Sequence, residues 1–114
     1  MTNEQDLRFL QLWDCYNGLL TPTQQSITDL YFNYDLSISE IAVEKGITRQ
    51  GVQECLKTCK RQLEDYENAL HFLKRLNGFS EKSDAATEWA QNFSAAHPEH
   101  SSDVQKLITI LNKV

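Results

Sequence analysis

Six residues within thirteen positions are of the types that meet a polyanion: Arg49, Gln50, Gln53, Lys57, Lys60 and Arg61. On a helix with Val52 turned inward, Gln50, Glu54, Lys57 and Arg61 fall within about 40° of the opposite face. Gln53 and Lys60 flank them. Arg49 sits at the helix start, where free amides and the macrodipole favour a phosphate. In this arrangement Gln50 and Gln53 read base edges while Arg49, Lys57, Lys60 and Arg61 hold phosphates. Four phosphate contacts imply a salt slope of roughly −3.6 on B-DNA. Another reading of the same residues is open. Lys57, Lys60 and Arg61 stand three or four positions from Glu54, Glu64 and Asp65, so the face can neutralise itself and serve as a solvated or protein-binding surface. Glu54, in its middle, repels phosphate.

Other reactive residue types form weaker patterns. Cys55 and Cys59 are at i and i+4 and could offer two thiolates to one metal, but the neighbouring sequence supplies no further paired ligands, so buried free thiols are expected. His97 and His100 flank Pro98 without a third ligand or a base partner and read as solvated histidines. No glycine-rich phosphate loop, nucleophile motif or acid/base pair occurs. The expectation is a protein that is not an enzyme and has neither cofactor nor metal.

The basic helix needs a frame, and the residues before it supply one. Ser37 and Glu40 form an S-x-x-E capping box that starts a helix at Ile38. Ile41 and Ala42 face inward from it. Gly46 offers the positive φ that ends it, and Thr48 caps a second helix beginning at Arg49. Small Ala42, turning Gly46, and apolar Ile47 and Val52 at these offsets are what helix-turn-helix packing demands. Gly51, in the first turns of the second helix, admits two readings: close approach of a partner, or mere tolerance.

Upstream, Leu7, Phe9, Leu10, Leu12, Trp13 and Tyr16 recur at helical spacing, predicting a helix from Asp6 to about Gly18. Thr21, Pro22 and Gln24 make a second capping box for a helix through Ile27, Leu30, Tyr31 and Tyr34. The aromatics in both read as core. Downstream, no stop signal appears until Asn77-Gly78, which predicts one long helix from Arg49 to Leu76. Its seam of Val52, Cys55 or Leu56, Cys59, Leu63, Tyr66, Leu70 and Leu73 has coiled-coil spacing. Past Leu63 it needs a cover, either the first helix folded back or a second copy of the chain in a homodimer. Then Ser83 can cap a helix carrying Ala85, Trp89 and Phe93, His97-Pro98 breaks it, and Val104, Leu107, Ile108 and Leu111 mark a last amphipathic helix.

The expected fold is therefore all-α, a helix-turn-helix bundle with a long recognition helix over residues 1–78. Additional C-terminal helices over 79–114 form an extension and not an independent domain. At 114 residues such a chain buries roughly two thirds of its unfolded surface and needs no staples. No apolar run approaches the ~18 residues of a membrane span, no signal peptide is evident, and three cysteines suit reduced thiols; a cytoplasmic protein is expected. The net charge of −5 argues against a general nucleic-acid coat. It is unevenly spread: residues 1–45 sum to −5, residues 46–78 to +2 and residues 79–114 to −2.

Read together, the LLTPTQQ segment, LYFNYDLSISEIA, the ITRQGV turn and the LEDYE continuation make Tyr16 to Leu70 resemble the YlxM family, small proteins associated with the bacterial signal recognition particle. The match covers about half the chain. Gly51 stands where that family usually has Ala, and the segment from Phe79 onward lies outside the match. The resemblance implies a helical fold like region 4 of sigma factors. It implies a regulatory or targeting role through signal recognition particle RNA, duplex DNA or the particle's GTPase. With the basic helix it favours nucleic-acid binding; with the net acidity and Glu54 it allows a protein-interaction adaptor.

Overall fold

The computed structural model describes residues 4–113. Among them it contains six α-helices and no strand: α1 (Glu4–Tyr16), α2 (Pro22–Phe32), α3 (Ile38–Lys45), α4 (Arg49–Leu70), α5 (Phe72–Ala96) and α6 (Ser101–Leu111). Short 3-10 turns follow α1 at Asn17–Leu19 and α5 at Pro98–His100. The chain divides between Leu73 and Lys74 into two compact units.

In the first unit α1, α2 and α3 all pack against α4. Thr21 accepts from the Gln24 amide while its own amide donates to the Gln24 side chain, and Pro22 occupies the first helical position of α2. The core is built from Leu12, Thr28, Ile41, Val52, Cys59 and Leu63, all essentially without solvent contact. Each large aliphatic side chain so buried contributes roughly 1.5–3 kcal/mol. Phe9, Trp13 and Tyr16 of α1 are core as expected. Tyr34 is not: α2 stops at Phe32, Asp35 takes a left-handed conformation, and the Tyr34 ring is exposed. Two polar contacts tie α1 to its neighbours. The buried Trp13 indole donates to the Thr28 hydroxyl at 2.7 Å. Arg8 donates through Nε and Nη2 to the two carboxylate oxygens of Glu64 on α4, at 3.0 and 3.2 Å.

The long helix expected from Arg49 to Leu76 is interrupted. It ends at Leu70, His71 adopts φ 55° and ψ 30°, and a new helix starts at Phe72 and runs straight through Asn77-Gly78. A phenol distant in sequence and a carboxylate near the end of α4 account for the break. The Tyr16 hydroxyl donates to Glu67 Oε1 at 2.6 Å and accepts from the Phe72 amide at 3.0 Å. Glu67 Oε1 also accepts from the Leu73 amide at 2.9 Å. The first amides of α5, which lose their carbonyl partners at the kink, thus meet a buried carboxylate and a phenol. Burial and the bond to Glu67 raise the Tyr16 pKa. On the expected seam, Val52, Leu56, Cys59 and Leu63 are buried in the core that α1, α2 and α3 build against α4; past Leu63 the Tyr16 ring of α1 lies beside Tyr66, and Leu70 is half exposed.

The second unit is a helical hairpin. The turn at Pro98–His100 reverses the chain, and the Ser83 hydroxyl donates to the Leu111 carbonyl at 2.9 Å, so α6 runs back along α5. Ser83 is therefore not a helix cap but a mid-helix residue holding the end of α6. The break at His97-Pro98 and the last helix fall where the sequence places them.

Candidate nucleic-acid interface

The helix-turn-helix is assembled by local hydrogen bonds. The Ser37 hydroxyl accepts from the Glu40 amide at 3.1 Å, and the Ser37 amide donates to the Glu40 carboxylate at 3.0 Å. Those bonds hold the Glu40 pKa below its ordinary value. Gly46 ends α3 at φ 67°, a conformation that needs no Cβ, and its amide reaches back to the carbonyls of Ala42 and Val43. The Thr48 hydroxyl then accepts from the Gly51 amide at 2.9 Å and starts α4. Gly51 has a local explanation that neither sequence reading contained. A Cβ there would lie 3.2 Å from the Thr48 hydroxyl, so the cap itself crowds a larger residue. Of the apolar residues assigned to the turn, Ile41, Ala42 and Val52 are buried, but Ile47 is exposed.

With Val52, Leu56, Cys59 and Leu63 turned into the core, α4 presents Arg49, Gln50, Gln53, Lys57 and Arg61 to solvent, and Lys60 is half-buried at the edge. The six residues thus lie along one helix and not in a pocket. Among the described residues, none of Arg49, Lys57, Lys60 and Arg61 forms an ion pair. Of the acids expected to neutralise Lys60 and Arg61, Glu64 is half-buried and held by Arg8 of α1, whereas Asp65 stays exposed. Glu54 remains on the exposed face. The Lys45 ammonium, at the end of α3, donates to the Ser26 hydroxyl on α2. Val43 on α3 is 84% exposed and Ile47 43%, leaving two aliphatic side chains in solvent beside the turn.

Cys59 is enclosed beneath this surface, and burial, with the neighbouring Cys55 thiol, pushes its pKa up to about 12. A thiol so far from its thiolate is a poor metal ligand and nucleophile. His97 and His100 are exposed, with Glu99 beside both.

This arrangement of short helix, glycine turn and long basic helix is matched by known sequences. The profile of the UPF0122 family, described as "Putative helix-turn-helix protein, YlxM / p13 like", covers residues 3–104. The chain belongs to UPF0122. It is 33% identical over 114 residues to the UPF0122 protein YlxM of Bacillus subtilis (strain 168), covering 100% of this chain and 99% of that protein. It is 31% identical over 114 residues to the UPF0122 protein of Lacticaseibacillus casei (strain BL23), at 100% and 95% coverage. Over 78 residues it is 37% identical to the UPF0122 protein of Clostridium kluyveri (strain ATCC 8527), covering 68% and 70%. The UPF0122 match therefore extends past Phe79, outside the resemblance read from the sequence, as far as residue 104. The helix-turn-helix description of UPF0122 points to a nucleic-acid-binding, regulatory role. Among the described residues no helix is long and apolar enough to cross a membrane.

Two residues that shape the interface escape a reading of the local sequence. Arg8 lies 56 positions from Glu64, and no local spacing links them. Glu67 has a faint signal, since it falls four residues after Leu63 on the apolar seam, where a charge needs a buried partner.

Proposed function

We propose that this protein is a non-enzymatic, regulatory nucleic-acid-binding protein that uses the outer face of α4, with Arg49, Lys57, Lys60 and Arg61 on phosphates and Gln50 and Gln53 beside the bases. The observation that carries the reading is the removal of one of the three acids, Glu54, Glu64 and Asp65, that could neutralise that face. Glu64 is clamped by Arg8, and the four bases have no acidic partner among the described residues. The resemblance to the YlxM family directs the choice of ligand to the RNA of the signal recognition particle, ahead of a DNA operator. A-form RNA hides its major groove from a helix, so on that ligand phosphate and loop contacts dominate and base reading by Gln50 and Gln53 is secondary.

Anisotropy titrations of signal recognition particle RNA and of duplex DNA over a salt series test the reading. The expected slope on duplex is roughly −3.6 for four phosphates, falling to about −1.8 in Lys57→Ala/Arg61→Ala. No binding to either ligand at low salt, with the double variant indistinguishable from wild type, sinks it.

A protein-interaction adaptor is the second reading, favoured by exposed Val43 and Ile47 beside the turn and by Glu54 on the same surface. Its partner is the particle's GTPase. Association that survives nuclease treatment and is lost in Val43→Lys supports it, whereas association abolished by nuclease returns the case to nucleic acid.

A further inference from the structure

One residue separates α4 from α5. α4 ends at Leu70, α5 begins at Phe72, and between them only His71, at φ 55° and ψ 30°, lies outside helical geometry. The His71 amide still donates to the Glu67 carbonyl at 2.7 Å, the i to i−4 bond of an unbroken helix. The ladder is therefore in register up to the break. Rotating His71 alone to φ and ψ of about −63° and −42° extends it, with the amides of Phe72 and Leu73 taking the carbonyls of Asn68 and Ala69.

Nothing in the local sequence asks for the break. Residues 66–76 contain neither glycine nor proline, and Leu63, Leu70 and Leu73 carry the apolar spacing of α4 across it. The left-handed conformation is disfavoured for a residue with a Cβ. The His71 imidazole is exposed, so burial of that ring does not hold the turn.

What opposes the unbroken helix lies on α1 and on the seam of α4. The Tyr16 hydroxyl accepts from the Phe72 amide and donates to Glu67 Oε1, which accepts from the Leu73 amide. The break also turns Leu73 into the core, where it is 6% exposed, and sets the Phe72 ring 6.4 Å from that of Tyr16. The amides of Phe72 and Leu73 thus have partners in either arrangement, side-chain oxygens in one and carbonyls a turn back in the other. The broken arrangement adds burial of Leu73, and the unbroken one removes the left-handed residue. Contributions opposed in this way are the condition for a bistable element.

We infer that the α4–α5 junction is a conformational switch with Tyr16 and Glu67 as its latch. Latched, the chain breaks at His71; unlatched, one helix runs from Arg49 to Ala96. The switch requires no ligand on α4 and stands apart from the reading of that face.

Backbone NMR of the full chain tests the inference. In wild type, His71 is expected to show the strong intraresidue amide-to-α-proton contact of a positive φ, and the helical contacts from Ala69 to Phe72 and from Leu70 to Leu73 are expected to be missing. Tyr16→Phe/Glu67→Leu replaces both polar partners by apolar groups and so leaves neither of them orphaned. In it the positive-φ contact is expected to vanish and the two helical contacts to appear. Adding His71→Gly, which makes the left-handed conformation cheap, is expected to shift the signals back toward the break. Retention of a left-handed His71 in the double variant overturns the inference, as does a junction that frays without becoming helical. Tyr16→Phe alone keeps the core ring and removes only the hydroxyl, so it decides the matter if the double variant does not fold. A shift of the His71 signals toward helical values supports the latch, and signals identical to wild type overturn it.

Discussion

A left-handed residue lies at each end of α4, and the two are accommodated differently. At the start, Gly46 takes the left-handed conformation, its amide returns to the Ala42 and Val43 carbonyls, and the Thr48 hydroxyl caps α4, so every cap comes from within a few residues. At the end, His71 takes nearly the same conformation with a side chain attached, which costs roughly 1–2 kcal/mol. The compensation is remote and buried: a phenol from α1 and a carboxylate one turn back accept the freed amides. The first is a property of the segment and the second a property of the assembled bundle. The first should survive perturbations elsewhere, and the second should fail whenever α1 separates from α4.

The largest effect is expected at the remote junction. Glu67→Ala leaves the Tyr16 hydroxyl and the Leu73 amide without their acceptor and should cost about 3 kcal/mol in urea denaturation. A loss below that of a surface cap would show that the junction is not held by the carboxylate. At the local turn, Gly46→Ala forces a Cβ into the left-handed region and should cost about 1 kcal/mol, with Thr48→Ala costing about as much through its lost cap. His71→Gly makes the opposite test. Relief of strain outweighs the added freedom of the unfolded chain, so a gain of about 0.5 kcal/mol is expected.

Alkaline titration separates the two regions by their chemistry. The Tyr16 pKa is raised in the fold, above the unfolded value of about 10. Its contribution is complete below that value and is lost as pH rises through the folded pKa. Stability of the wild type should fall more steeply above about pH 10 than that of Tyr16→Phe. Parallel curves would remove the phenol from the account. The smallest effect on stability belongs to Arg8→Ala, under about 1 kcal/mol, because both partners of the Glu64 pair are substantially exposed. It should nevertheless weaken nucleic-acid binding, since Glu64, once released, is free to turn toward Lys60 and Arg61.

Capping boxes, the glycine turn and the apolar stripe of α1 were all legible because each is written in residues a few positions apart and acts through hydrogen bonds within one turn of helix. Ser37 with Glu40, Thr21 with Gln24, and Gly46 followed by Thr48 needed nothing beyond their spacing, and they determined an all-α chain with a helix-turn-helix whose basic helix begins at Arg49. The sequence also contained the six polar residues of α4. Whether their charges were free was decided only when α1 folded across α4 and Arg8 took Glu64. The same packing placed Tyr16 against Glu67 and stopped α4 at His71, where neither glycine nor proline marks a break. It also buried Leu56, Cys59 and Leu63 of the seam and left Leu70 half exposed. These outcomes depend on contacts across many positions of chain, and a periodicity cannot say which neighbour covers a stripe.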